Sequence, residues 1–320
     1  MRVRMAGKLG YCFGVSQAIE KVVSYAEGGK VYTLGTLAHN EHVVQYLRGK
    51  GVEPFPFEEL PPDMLGVWAK IALNAKVAIT AHGAPPEYYE RLKTVTNNIL
   101  DCTCPIVRKA QSVVSQLLDG YDILIFGDPN HQEVKGLMGW AEGKVKFVGT
   151  FDQLFTPEQD FKELNLGKKV AVISQSTKIP ADFADFLSTF THRNVSGFEE
   201  LRVFNTICPI VAQRIRDTEN LASEVDIMFV VGSKESANTR NLETVCRRSI
   251  THSEGMVQPW SVALAQDEDQ VGHAISEWYV ENDMAFPKVG VTAGTSTPIE
   301  VVEKVVEKAK ELTGGSKDSD

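Results

Sequence analysis

Residues 101–111 read DCTCPIVRKAQ and residues 205–215 read NTICPIVAQRI, so Cys104 and Cys208 each stand at the head of the same four letters, CPIV. A third cysteine, Cys12 in GYCFGVSQAIEKVV, opens a comparable stretch. Apolar residues recur at helical spacing after each one. They are Val15, Ala18, Ile19, Val22 and Val23 after Cys12, and Val107, Ala110, Val114, Leu117 and Leu118 after Cys104. After Cys208 the weaker set is Val211, Ile215, Leu221 and Ala222. The spacing predicts three amphipathic helices, each with a cysteine just before or within its first turn.

The agreement extends downstream. His39 follows Cys12 by 27 residues, His131 follows Cys104 by 27, and Ser236 follows Cys208 by 28. DILIF and DIMFVV run into the second and third of these polar loops, and VYTLGTL into the first, as strands would. A second strand and loop then follow in each case: VAITAHGAPPE around His82, VAVISQSTKIP around Ser176 and Thr177, and VGVTAGTSTPIE around Ser296. Each of these loops reaches a proline and then helical sequence, a common helix start. The chain therefore reads as an α/β protein of three similar units, 1–100, 101–197 and 198–313, with a frayed polar tail at 314–320. Ligands collect at the carboxyl ends of strands in open α/β sheets. With the units arranged in pseudo-threefold symmetry, the three cysteines and six polar loops face one centre. A triplicated fold whose cysteines are merely small core residues has the same pattern.

Composition narrows the chemistry. The chain has 320 residues, 43% hydrophobic and 23% charged, which suits a globular protein. Its net charge of −9 opposes a general nucleic-acid partner but leaves room for a local phosphate pocket. No apolar run is long enough to span a membrane and no secretory signal is evident, so a cytoplasmic protein is expected. In that compartment cysteines are metal-binding or catalytic more often than disulfide-bonded, and the count of five is odd.

Three thiolates at one centre suit a metal, and structural zinc prefers four ligands, often with a C-x₂₋₄-C pair that the repeated cysteines lack. An iron–sulfur cluster tolerates ligands from separate units. A 4Fe–4S cluster held by three cysteines keeps one iron open, which allows Lewis-acid chemistry. Cys246 fits a buried position on a helix, and Cys102 falls outside the repeat, although a zinc site with Cys102 as fourth ligand is an alternative.

The loops offer His39, His82, His131, Ser176, Thr177, Ser236, Asn238, Thr295, Ser296 and Thr297, a set of donors suited to a phosphate or diphosphate. Glu133, two residues after His131, is the carboxylate placed to donate a proton. Alone it would also suit a solvated first-turn glutamate. His42 has no counterpart in the other loops and is expected at the surface. P-loop, dinucleotide, zincin and nucleophile-elbow motifs do not occur.

GYCFGV, LAHNEHVV, AHG, DCTCP, HQEVKG, SQST, NTIC, VVGSKESAN and TAGTSTP occur in that order between Gly10 and Pro298. Together they resemble the 4-hydroxy-3-methylbut-2-enyl diphosphate reductases of the non-mevalonate isoprenoid pathway. The resemblance implies a three-lobed α/β fold around a central 4Fe–4S cluster ligated by Cys12, Cys104 and Cys208. It implies substrate binding by His39, His82, His131, Ser176, Ser236, Asn238 and Ser296, and Glu133 as proton donor. The implied reaction removes an allylic hydroxyl with two electrons and two protons, giving isopentenyl and dimethylallyl diphosphate. The electrons would come from an external ferredoxin or flavodoxin. Four positions depart from the family. Ser176 stands where threonine is usual, Ala237 where many members have a diphosphate-binding serine, Gln132 where HPE is common, and Val211 in place of a threonine. A non-catalytic iron–sulfur or phosphate sensor on the same scaffold is the alternative reading.

Overall fold

A computed structural model describes residues 2–55, 75–117, 119–150, 164–254, 261–281 and 286–314, without the side chains of 251–254 and 281. Leu118 and all of the expected tail except Gly314 lie outside these residues.

The strands form three four-stranded sheets in which every pairing is parallel. The first contains β2 (Val31–Leu34), β3 (Val52–Phe55), β4 (Lys76–Ile79) and β5 (Ile99–Asp101), in the order β3-β2-β4-β5. The second contains β6 (Asp122–Phe126), β7 (Val145–Gly149), β8 (Lys169–Ser174) and β9 (Glu200–Phe204), ordered β7-β6-β8-β9. The third contains β10 (Ile227–Val231), β11 (Val262–Ala265), β12 (Val289–Ala293) and the N-terminal β1 (Val3–Met5), ordered β11-β10-β12-β1. The three orders are the same. In each sheet the edge strand β5, β9 or β1 is the one that leads the chain into a cysteine.

Helices supply the crossovers that parallel pairing requires. Those after the cysteines are α1 (Phe13–Ala26), α4 (Pro105–Gln116) and α7 (Pro209–Ala222). Those after the first loop of each repeat are α2 (Glu41–Gly49), α5 (Gln132–Trp140) and α8 (Ala237–Glu254). Those after the second loop are α3 (Pro86–Val95), α6 (Pro180–Asn194) and α10 (Ile299–Leu312), while α9 (Val271–Glu281) follows β11. Strands covered on both faces read as nearly unbroken apolar runs, and IMFVV and VGVTA are buried at every position.

Each sheet has its own core. Leu34, Val77, Ile79 and Leu92 fill the first, Ile123, Ile125, Ile173 and Leu137 the second, and Phe229, Val231, Val291 and Val305 the third. Burying one such side chain contributes roughly 1.5–3 kcal/mol, so these clusters fix where the strand ends lie. The chain divides into two compact units. One comprises Met1–Val15, Ala38–Val44 and Pro209–Asp320 and holds the third sheet. The other comprises Ser16–Leu37 and Gln45–Cys208 and holds the first two.

Candidate active site

None of the five cysteines forms a disulfide, and their surroundings sort them into two kinds. Cys12, Cys104 and Cys208 are half-buried at the starts of α1, α4 and α7. Each also has its backbone N–H bound to the loop two residues past a strand end: Cys12 to the Thr295 carbonyl at 3.0 Å, Cys104 to Ala81 at 3.0 Å, and Cys208 to Ser176 at 2.8 Å. The same tether occurs three times. Cys102 and Cys246 are buried instead, and burial pushes the Cys102 thiol up to about 11 and the Cys246 thiol further. A thiol that resists ionisation is less suited to metal ligation than the three half-buried ones. Among the described residues, no three His, Cys, Asp or Glu side chains gather as ligands of a single ion. Three half-exposed thiols at helix starts fit an iron–sulfur cluster as donors.

In the unit that holds the first two sheets, the loops bring His82, His131, Glu133 and Ser176 into two contacting pairs. His131 precedes α5 and caps it, its Nδ1 accepting the Glu133 backbone N–H at 3.2 Å. That bond leaves the imidazole proton on Nε2. The His82 ring meets the His131 ring edge-on, with centroids 5.5 Å apart. Glu133 is 1% exposed. Its Oε1 accepts the Ser176 backbone N–H at 2.7 Å and its Oε2 accepts the Ser176 hydroxyl at 2.6 Å. Burial raises the Glu133 carboxyl above the ordinary glutamate value, opposed by the two Ser176 bonds and by Lys178. The solvated-glutamate reading therefore fails, and the buried carboxyl is held where it can keep and release a proton. Gln175 ties the neighbouring loops, its Oε1 accepting from Asp128 N and its Nε2 donating to the Thr177 hydroxyl at 2.8 Å.

The other unit holds Cys12, His39, Ser236, Asn238 and Ser296. Ser236 closes the start of α8, its hydroxyl accepting the Thr239 N–H at 3.4 Å. His39 and Lys234 lower the Glu235 carboxyl by charge, after its hydrogen bond from Ser233. Asn238 is 2% exposed, and among the described residues neither atom of its amide has a hydrogen-bond partner, nor does the Thr239 hydroxyl beside it. Gly232 and Gly294 crowd that hydroxyl so closely that a Cβ at Gly294 would lie 2.2 Å from it. A buried amide without partners costs about 1–3 kcal/mol unless a ligand meets it. His42 is exposed on α2, as expected.

Some contributors were not singled out in the sequence. Arg214 lies on the buried face of α7 between Val211 and Ile215 and donates to the carbonyls of Ala293, Lys8 and Gly10, at 3.0, 3.2 and 3.0 Å. Burial lowers its pKa, while Cys12 and Asp217 oppose the shift. It thus clamps the turn before Cys12, where Gly10 has φ +90° and packs against Ile299. An arginine within an apolar helical stripe was the available signal. Lys178 carried no comparable signal.

Comparison with known proteins identifies the family. The family model described as LytB protein matches residues 3–310. A 4-hydroxy-3-methylbut-2-enyl diphosphate reductase of Caldanaerobacter subterraneus subsp. tengcongensis is 34% identical over 320 residues, covering 98% of each chain. One of Geobacter sulfurreducens is 34% identical over 319 residues, covering 99% of this chain and all of its own. A solved (E)-4-hydroxy-3-methyl-but-2-enyl diphosphate reductase, described as the terminal enzyme of the non-mevalonate pathway, superposes with TM-score 0.62 at 28% identity, covering 97% of this chain and 100% of that one. The Plasmodium falciparum reductase shares the fold, with TM-score 0.76 at 22% identity over 95% of this chain and 86% of that one. This chain belongs to the LytB protein family.

Proposed function

We propose that this chain reduces (E)-4-hydroxy-3-methylbut-2-enyl diphosphate to isopentenyl and dimethylallyl diphosphate, the last step of the non-mevalonate pathway. Cys12, Cys104 and Cys208 would hold a 4Fe–4S cluster. Such a cluster, when bound, supplies electrons one at a time and Lewis acidity at the iron without a cysteine. The common strand order of the three sheets supports three repeated lobes close to 1–100, 101–197 and 198–313, with β1 completing the third sheet and β9 the second.

The observation that carries the reading is the buried Glu133–Ser176 pair. Reductive dehydroxylation breaks one C–O bond, adds two electrons and two protons, and releases water. Glu133 holds one of those protons until the C–O bond breaks, and Ser176 fixes the carboxyl's direction with two bonds. His82 and His131 donate towards the substrate, while Ser236, Ser296, His39 and the unpartnered Asn238 amide receive diphosphate oxygens. Ala237 at the head of α8 has no hydroxyl to add, which forgoes one such bond. Electrons come from an external ferredoxin or flavodoxin. No described helix is long and apolar enough to cross a membrane, and five cysteines without a disulfide suit a reducing cytoplasm. A non-catalytic sensor has no use for a buried proton-holding carboxyl, so that alternative is disfavoured.

Iron, sulfide and zinc content of protein purified without oxygen tests the assignment, followed by turnover of the diphosphate substrate. Near four irons and four sulfides per chain with turnover is the expected result. Zinc without sulfide would refute it.

A further inference from the structure

We infer that Gln132 is a positioning residue that determines which nitrogen of His82 carries the proton. The inference rests on the proposed reading of His82 as a substrate-binding group. Gln132 opens α5, and its Nε2 donates to the Leu34 carbonyl at the end of β2, at 2.9 Å. A carbonyl can only accept, so this bond fixes which end of the amide faces inwards. The same nitrogen approaches the Thr80 hydroxyl at 3.2 Å. Nε2 is purely a donor, so Thr80 Oγ1 accepts from it and turns its own hydrogen elsewhere. His82 Nδ1 lies 3.4 Å from the same hydroxyl oxygen.

Gln132 occupies one of the two Thr80 lone pairs and leaves the hydroxyl hydrogen available; in the inferred relay Thr80 donates it to His82 Nδ1, and the His82 proton resides on Nε2. His131 reaches the same state by another route, since its Nδ1 accepts the Glu133 N–H. Both imidazoles of the edge-on pair then carry their protons on Nε2.

The surroundings are shaped for this relay. Thr80 is fully buried, and its carbonyl accepts the Gly83 N–H at 3.0 Å, closing the turn that carries His82. Gly35 has φ +80°, and a Cβ there would fall 2.7 Å from the Gln132 side-chain oxygen, so glycine leaves room for the amide. The commoner family residue at position 132, proline, has no amide to contribute. The departure noted in the sequence therefore has a structural role in this chain.

Proline suits the first position of a helix, so Gln132→Pro removes the amide while keeping α5. Thr80→Val removes the hydroxyl by a second route, and Thr80→Ser restores it. Long-range ¹H–¹⁵N correlation of histidine-labelled, cluster-loaded protein without substrate reports the tautomer of His82. The expected result is an Nε2–H ring in the wild type and in Thr80→Ser, shifting towards a mixture in Gln132→Pro and Thr80→Val. KM for the diphosphate substrate should rise about tenfold in the two disrupted variants, with kcat changing less. A wild-type His82 protonated on Nδ1, or a tautomer unmoved by both disruptions, would overturn the inference. A tautomer shift with KM unchanged would support the relay and refute the substrate-binding role of His82.

Discussion

The polar loops of the two compact units are finished to different degrees. In the unit of the first two sheets the site residues are already bonded to one another. Glu133 takes two bonds from Ser176, His131 caps its own helix, and Gln132 and Gln175 lace neighbouring loops together. Gln111, that unit's unpartnered buried amide among the described residues, sits on α4 behind the Gly83 turn, not in a loop. In the other unit the Asn238 amide and Thr239 hydroxyl lie at the head of α8 without partners. On the proposed reading, the first set is preorganised for proton handling and the second keeps its donors for an anion. Proton transfer needs atoms fixed before the reaction, whereas diphosphate binding draws on bonds that form only with the ligand.

The comparison can be broken at several points, and the largest effect should come from the bonded side. Glu133→Gln keeps the shape and removes the proton, so turnover should fall by about 10²–10⁴-fold. Iron content should be unchanged. Normal turnover in this variant would end the assignment of Glu133 as donor.

Arg214→Met comes next. It strands the buried carbonyls of Ala293 and Gly10, removes the part-buried bond to Lys8, and should destabilise the protein by about 3 kcal/mol in urea titrations. An unchanged midpoint would mean that the clamp contributes nothing.

Asn238→Leu probes the unfinished side. Replacing an orphaned amide with an apolar group of similar size should raise stability by about 1 kcal/mol while weakening diphosphate binding. A loss of stability with binding intact would show that the amide is satisfied in the resting protein.

The smallest effect concerns pH. The folded-state pKa of Glu133 is raised above the ordinary 4.5, so the folded protein holds this proton more tightly than the unfolded chain. The associated stability is full below the unfolded value and is lost as pH rises through the folded one. The slope is about 1.4 kcal/mol per pH unit at most. Stability measured against Glu133→Gln should therefore decline upwards from about pH 4.5, and a flat difference would refute the raised pKa.

Much of the site was legible because it is periodic and local. Helical spacing after Cys12, Cys104 and Cys208, and apolar runs ending in polar loops, depend on neighbours a few residues apart, and the threefold recurrence made weak signals specific. Neither the burial that raises the Glu133 pKa nor the pairing of its carboxyl with Ser176, 43 residues away, was legible. Nor was the Gln132 bridge to Leu34, across 98 residues. The Arg214 clamp on Lys8 and Gly10 spans more than 200.

The sequence by itself determined the three repeats, the three cysteine-led helices, the positions of the loop residues and the family, since each is written in local pattern and order. Tertiary structure alone decided that Val3–Met5 completes the third sheet, so that every cysteine follows the edge strand of a four-stranded sheet. It also decided which loop residues bond to one another and which remain without partners. Those outcomes arise from parallel strand pairing and burial, which join residues that no local pattern relates.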